Sequence, residues 1–365
     1  MLKSILLSTL LIIGQVAASF YPCPSPPAEN QKVMSLSEAY STHLQYPQGW
    51  YFATGTLCEI GTDFPETGCD SPVGYQLTTS MYNLSQIGSN AIVSPSTIAL
   101  TDNSGRYQWT NQGTTSFPKT VNHFDLDFDA PSYSASISYK NVGFLPAGTL
   151  ESSYIFSAST SNVSINLFLI SLSPTMWQGT GGYTGFPNST TCTGFYYVSM
   201  PQLYTFGTVT LNGQTKFVSG ETWFDHQWGG ALPGSGTGGK KSGWDWLGLR
   251  FGSLSMLVLV LRQNGVYLIG DDSMVDVQHE NGNMEYGKVL TIEVLDTWTS
   301  SIGVTYPVYL SINTTVPGFE QLLTFPVFLD QEVGSGKSHY WEGFVQVEAT
   351  SRSGNGYLEL TGFQQ

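Results

Sequence analysis

The densest chemistry in this 365-residue chain lies in one run, Glu221-Thr-Trp-Phe-Asp-His-Gln-Trp-Gly229. It holds two carboxyls (Glu221 and Asp225), the imidazole of His226 and the indoles of Trp223 and Trp228. Asp225 beside Trp223 reads as a carboxyl that an apolar setting would keep protonated, the form that acts as a general acid. In an extended strand, Glu221, Trp223, Asp225 and Gln227 face one side, and Thr222, Phe224, His226 and Trp228 the other. Asp225 and His226 then share a cavity only if a bulge intervenes, so one of the two is expected to be structural. A hydrogen-bonded pair that merely anchors a junction is the competing reading of both.

Three further segments carry similar residue types. Gly243-Trp-Asp-Trp-Leu-Gly-Leu-Arg-Phe251 puts Trp244, Trp246 and Arg250 on one face and Asp245, Leu247 and Leu249 on the other. Near the C-terminus stand His339-Tyr-Trp-Glu-Gly343 and Gly356-Tyr-Leu-Glu-Leu-Thr-Gly362. The N-terminal counterpart is Gly49-Trp-Tyr-Phe-Ala-Thr-Gly-Thr-Leu57, with His43 upstream. The faces of Trp223, Trp244, Tyr340 and Trp341 are of the kind that stabilise a nearby positive charge. His226, Glu342 and Asp245 are further candidate acid–base groups. The plainer alternatives are that the tryptophans are core or pocket wall, and that Glu342 and Glu359 are buried and bonded to backbone or to Arg250. His43, His123, His226, His279 and His339 show no paired ligand spacing, so no metal is expected. No Gly-x-Ser-x-Gly elbow occurs; the nearest approach, Gly234-Ser-Gly236, has no strand–helix context.

The elements that must hold these residues read as β-strands. Period-two runs recur at Trp50–Leu57, Ser134–Tyr139, Val163–Ser171, Gly207–Leu211, Leu254–Arg262, Val289–Val294 and Phe344–Glu348. Asn212-Gly213, Asn264-Gly265 and Asn281-Gly282 punctuate them as turns. No long helical period and no tandem repeat is visible. Long antiparallel meanders hide their edges most simply by closing into barrels, and a barrel of about eight strands can hold one small ligand. The Gly-rich stretch from Gly229 to Gly243 divides the chain. The expected organisation is a signal peptide (1–19), an N-terminal domain (20–229), a Gly-rich loop (230–243) and a C-terminal domain (244–365), all-β throughout.

Composition narrows the partners. Charged residues make up 11 % and aromatics 13 %, with 13 Lys+Arg against 27 Asp+Glu and a net charge of −14. Disorder needs the opposite balance. Nucleic-acid binding needs a basic face that thirteen scattered cations do not make. Many aromatics and few charges suit a small apolar, unsaturated ligand.

Met1-Leu2-Lys3, the apolar run from Ile5 to Ile13 and the small residues Ala17, Ala18 and Ser19 read as a secretory signal peptide too short to span a bilayer. No later stretch is long and apolar enough to span one. A secreted, extracellular protein is therefore expected, with the four cysteines in two disulfides. The favoured pairing is Cys58–Cys69, closing a short loop, with Cys23–Cys192 pinning the N-terminus; three pairings are open on the sequence alone. Sequons at Asn83, Asn162, Asn188 and Asn313 are expected in glycosylated surface loops.

Taken in order, these segments resemble the superfamily of carotenoid 1,2-hydratase (hydroxyneurosporene synthase) and AttH-like proteins, closest in type to secreted fungal kievitone hydratases. The residues carrying the resemblance are Trp223–Trp228, Tyr340–Gly343 and Gly356–Gly362, with Trp244 and Trp246 and a weaker N-terminal match. The sequence departs from that pattern at Gly49-Trp50, where two adjacent tryptophans are usual, and in its long glycine loop. The resemblance implies two lipocalin-like antiparallel barrels packed side by side, and cofactor-free addition of water to an isoprenoid double bond of a prenylated or terpenoid substrate. It places the Asp-His pair on Asp225 and His226, its tryptophans on Trp223, Trp228, Trp244 and Trp246, and its Trp-Glu-Gly on Trp341, Glu342 and Gly343. The expected site thus comprises Asp225, His226 and Glu342 as catalytic groups, with Trp223, Trp228, Trp244, Trp246, Arg250, Tyr340 and Trp341 around the substrate. A cyclase or pericyclic catalyst and a non-catalytic carrier of apolar ligands are the two competing functions. The oligomeric state is not encoded in any motif.

Overall fold

The computed structural model describes residues 24–28, 31–39, 41–60, 69, 72–83, 92–93, 96–111, 125–130, 133–140, 153–185, 194–230, 242–335 and 338–364. The expected signal peptide, Cys23, Cys192, Asn188, His123 and most of the glycine loop lie outside these residues.

The fold is all-β, in two curled antiparallel sheets of lipocalin-like form. One short helix, α1 (Leu36–Ala39), occurs among the described residues. The first sheet contains β1 (Gln48–Glu59), β2 (Pro72–Asn83), β3 (Ile92–Val93), β4 (Ser96–Asp102), β5 (Gly105–Asn111), β6 (Asp125–Ala130) and β7 (Tyr133–Lys140). It continues with β8 (Ser153–Thr160), β9 (Val163–Ser171), β10 (Met176–Trp177), β11 (Tyr183–Thr184), β12 (Phe195–Leu211) and β13 (Gln214–Gly229). Its order is β5-β4-β2-β1-β13-β12-β9-β8-β7-β6. The second sheet holds β14 (Gly243–Phe251), β15 (Leu254–Gln263), β16 (Val266–Gln278), β17 (Met284–Gly287) and β18 (Val289–Thr299). After these come β19 (Thr305–Thr314), β20 (Gln321–Pro326), β21 (Glu332–Ser335), β22 (Ser338–Ala349) and β23 (Ser353–Leu360). Its order is β17-β16-β15-β14-β23-β22-β20-β19-β18. The first sheet ends at Gly229 and the second begins at Gly243, the two ends of the glycine-rich stretch.

Asn212-Gly213 and Asn264-Gly265 make the two-residue turns expected of them: all four residues have positive φ, which a right-handedly twisted hairpin requires. Each sheet wraps its own core. Tyr51, Tyr75, Phe156, Leu167 and Phe224 lie inside the first, and Leu249, Val258, Tyr306, Trp341 and Leu358 inside the second. A third cluster joins the sheets and includes Phe52, Phe195, Tyr197, Trp223, Trp246, Leu257 and Tyr357. Residues 222–229 of β13 are all buried because this strand has a core on both faces.

Cys58 and Cys69 form the expected disulfide, tying β1 to the segment before β2. The sequons divide. Asn162 is exposed in the turn between β8 and β9, whereas Asn83 is the last residue of β2. Asn313 contradicts the surface-loop expectation: it lies half-buried within β19, and its Nδ2 donates to Thr291 Oγ1 across the ladder at 2.8 Å. The sequon pattern does not distinguish a loop from a paired strand.

Candidate active site

β13 pairs with β1 without interruption, Asp225 opposite Phe52 and His226 opposite Tyr51. No bulge breaks the alternation there, so Asp225 and His226 project from opposite faces. Asp225 points between the sheets and is 2 % exposed. Its Oδ1 accepts from Trp223 Nε1 and its Oδ2 from Tyr197 Oη, each at 2.6 Å. Trp246 Nε1, from the second sheet, donates to Tyr197 Oη at 2.8 Å. That bond orients the phenol so that its proton goes to Asp225. Burial pushes the Asp225 carboxyl up to about 7, against the opposing pull of hydrogen bonds from Ser199, Tyr197 and Trp223.

The facing surface of the second sheet is set by register. Trp246 lies opposite Glu359, and Glu359 opposite Glu342, so an indole and two carboxyls stand in line across β14, β23 and β22. Glu359 accepts from Trp244 Nε1 at 3.0 Å, and burial pushes its carboxyl up to about 7. Glu342 is 4 % exposed, and neither of its oxygens has a partner within the protein. Its carboxyl is pushed well up, first by burial and then by the charge of Glu359. Tyr340, two residues along the same face, accepts from Gln76 Nε2 at 2.9 Å. Arg250 spans the junction, pairing with Glu221 at 2.9 Å and donating to Thr56 Oγ1 at 3.1 Å. It holds the sheets together beside the carboxyls.

The structure thus brings Asp225, Trp223, Trp244, Trp246, Arg250, Tyr340 and Glu342 to one junction. His226, Trp228 and Trp341 stand elsewhere. The His226 ring stacks on Tyr51 at 3.9 Å and on Trp228 at 4.5 Å. Its nitrogens face the carbonyls of Trp50 and Ser41 at 3.1 and 2.9 Å. Burial, with the charge of His43 adding, pulls it down to about 3, so it stays neutral. Trp228 stacks on His43 at 4.0 Å. Trp341 belongs to the core of the second sheet and donates to Leu329 O at 2.8 Å. Asp245 faces away from Trp246 into a buried ion pair with Arg262 at 3.0 Å. Tyr197 and Gln76 were not singled out by any motif. Among the described residues, no group of three or more His, Cys, Asp or Glu side chains is arranged to hold a metal ion. Nor is any helix of theirs long and apolar enough to cross a membrane.

Fold and site together define a double lipocalin-like β-barrel protein with protonatable carboxyls buried where its sheets meet. The AttH-like family model matches residues 27–363, and the chain belongs to this family. Among solved structures it is similar to a protein assigned as AttH from Nitrosomonas europaea, at 20 % identity and a TM-score of 0.73, with 94 % of this chain and 100 % of that one covered. It is also similar to kievitone hydratase from Nectria haematococca, at 15 % identity and a TM-score of 0.61, covering 94 % and 98 %. A structure of CghA with Sch210972 aligns at 12 % identity and a TM-score of 0.52, covering 95 % and 97 %. These identities establish a shared fold. No curated protein matches the chain.

Proposed function

We propose that this protein binds a prenylated or terpenoid molecule between its two sheets and adds water across an isoprenoid double bond. The observation that carries the reading is Asp225, an acid buried among indoles yet hydrogen-bonded at both oxygens. Burial keeps the carboxyl protonated near neutrality. The Tyr197 and Trp223 donors are already aimed at the carboxylate that would remain after proton transfer. An acid held near the working pH is the most effective proton donor.

In the proposed sequence, the Asp225 proton passes to one alkene carbon and the π-electrons form the new C–H bond. The adjacent carbon becomes a tertiary cation facing Trp246 and Trp223. A water held by Glu342 adds to that carbon and returns a proton to Asp225, which restores the acid. Similarity to a kievitone hydratase fold supports a hydratase, and the cofactor-free chemistry needs only the residues named. A secreted, glycosylated form agrees with the Cys58–Cys69 disulfide and the exposed Asn162 sequon.

The competing reading is cyclisation, in which the indoles of Trp223 and Trp246 fold an apolar substrate and no water is added. Incubation with prenylated phenolics and terpenoids in H₂¹⁸O separates the readings by mass spectrometry. Hydration gives a product heavier by one labelled water. A cyclase gives an isomer of unchanged mass, and a carrier returns its ligand intact.

A further inference from the structure

The acid end of the junction is lined by indoles, but its other end is polar. Thr54 lies opposite Gln76 in the β1–β2 ladder, and Gln76 reaches Tyr340 of the second sheet. Arg106 on β5 lies opposite Thr101, which lies opposite Gly74, so all three share the face that carries Gln76. Gly74 is needed there: a Cβ on it would lie 2.6 Å from Tyr357 Oη. Two residues along β5, Gln108 exchanges hydrogen bonds with the backbone of Gly334 at 3.0 and 3.2 Å, which draws β21 over this end.

Under that cover, Arg106 Nε and one terminal nitrogen have no hydrogen-bond partner in the protein. Gln76 Oε1 and Thr54 Oγ1, in residues 2 % and 1 % exposed, have none either. Among the described residues no carboxylate forms an ion pair with Arg106; the charges of Asp330, Tyr340, Tyr357 and Glu332 act on it from further away. Burial pulls its guanidinium down only to about 10, so it remains charged. A buried cation without a counter-ion is costly, and an anionic oxygen is its natural complement. Gln76 Oε1 and Thr54 Oγ1 would accept from a hydroxyl beside it.

We propose that Arg106, with Tyr340, anchors an acidic oxygen head on the ligand, a phenol or enol conjugated to a carbonyl, with Gln76 Oε1 free to accept from a hydroxyl beside it, while the hydrocarbon tail lies against Trp223 and Trp246. The inference rests on the junction being the ligand site, and it sets which molecules that site accepts. It divides the site into an acidic-head pocket on β5 and β2 and an alkene pocket on β13 and β14.

The test is binding, read by quenching of tryptophan fluorescence in the full chain. The probes are a prenylated flavanone whose free phenol is conjugated to its carbonyl, and the methyl ether of that phenol. The unaltered protein should bind the phenol about tenfold more tightly than the ether, the range of a hydrogen bond to a charged group. Arg106→Met should erase that preference and leave ether affinity within about twofold. Arg106→Gln, close in length and uncharged, should erase it too, and serves if the Met variant does not fold. A preference that survives in a folded variant, an equal loss for both probes, or no preference in the unaltered protein would overturn the anchor. Binding of neither probe would overturn the anchor together with the junction as ligand site. Failure of hydration is separable: an Asp225→Asn protein should keep the phenol preference, and a preference without heavy-oxygen product would leave the anchor standing alone.

Discussion

At the scale of single residues, the account turns on what burial does to Asp225. Replacing its carboxyl by an amide keeps the shape but removes the transferable proton. Asp225→Asn should therefore lower kcat by a factor of about 10² or more while the ligand Kd stays within about twofold. Because the protonated form acts, kcat/KM should fall as pH rises through about 7, with the slope of a single proton. An activity flat from pH 5 to 9 would exclude Asp225 as the acid. His226 is the contrasting case. Its ring is stacked and its nitrogens face backbone carbonyls, so His226→Gln should cost about 1–3 kcal/mol of stability through lost packing and hydrogen bonding. Urea titration would read that loss, and the pH–rate profile should not move. Period-two parity on β13 was enough to separate these two side chains. The same parity sets Trp228 apart from Asp225 and Trp341 apart from Glu342, although motif resemblance groups all four.

At the scale of elements, the site depends on close approach between strands. Gly248 on β14 is one such point: a Cβ there would lie 2.9 Å from Trp223 of β13 and 2.5 Å from the Trp246 ring of its own strand. Gly248→Ala should push the indoles apart, cost about 1–3 kcal/mol and weaken ligand binding, as thermal melts and fluorescence titration would show. A neutral result would mean that the indole pair is loosely held. Opening the Cys58–Cys69 link with paired serines should cost about 2–4 kcal/mol. Strand spans were legible in the sequence; Val163–Ser171 and Leu254–Arg262 read almost as β9 and β15 fold. Tyr197 was not legible, for a local reason. Counting back along the β12–β13 hairpin from Asn212-Gly213 sets Met200 opposite Asp225. The register shift between Met200 and Leu203 makes Ser199 the partner instead, and so turns Tyr197 toward the junction.

At the scale of the whole molecule, two sheets share a seam rich in buried acids, and this shapes the response to pH. Burial raises Asp225, Glu359 and Asp276 to about 7 in the folded state, while in the unfolded chain they titrate near 4. Between those values the native state binds more protons, so their contribution to stability is full below pH about 4 and is lost as pH rises to about 7. Glu342, also pushed well up by burial, adds to the decline. His43 and His226, lowered to about 4 and 3, work the other way: their contribution is lost as pH falls below about 6.5. The acids outnumber the histidines, so the urea midpoint should be lower at pH 8 than at pH 5. Asp225→Asn should flatten the slope by one proton, and a midpoint rising over that range would contradict the burial of these acids. The motif resemblance grouped residues of both sheets in one site, but the contacts between them were not legible in the sequence. The tryptophan at 246 and the tyrosine at 197 meet only because two separate hairpins dock face to face, and no spacing within one strand records that.

The most direct test of the central claim is the protonation of Asp225 itself. Carbon-13 NMR of protein labelled at aspartate carboxyls, with the signal assigned by its loss in Asp225→Asn, would follow it from pH 3 to 9. The account predicts a midpoint near 7, with the carboxyl still largely protonated at pH 6. A midpoint near 4, the ordinary value for an aspartate in water, would remove the acid on which the proposed hydration depends.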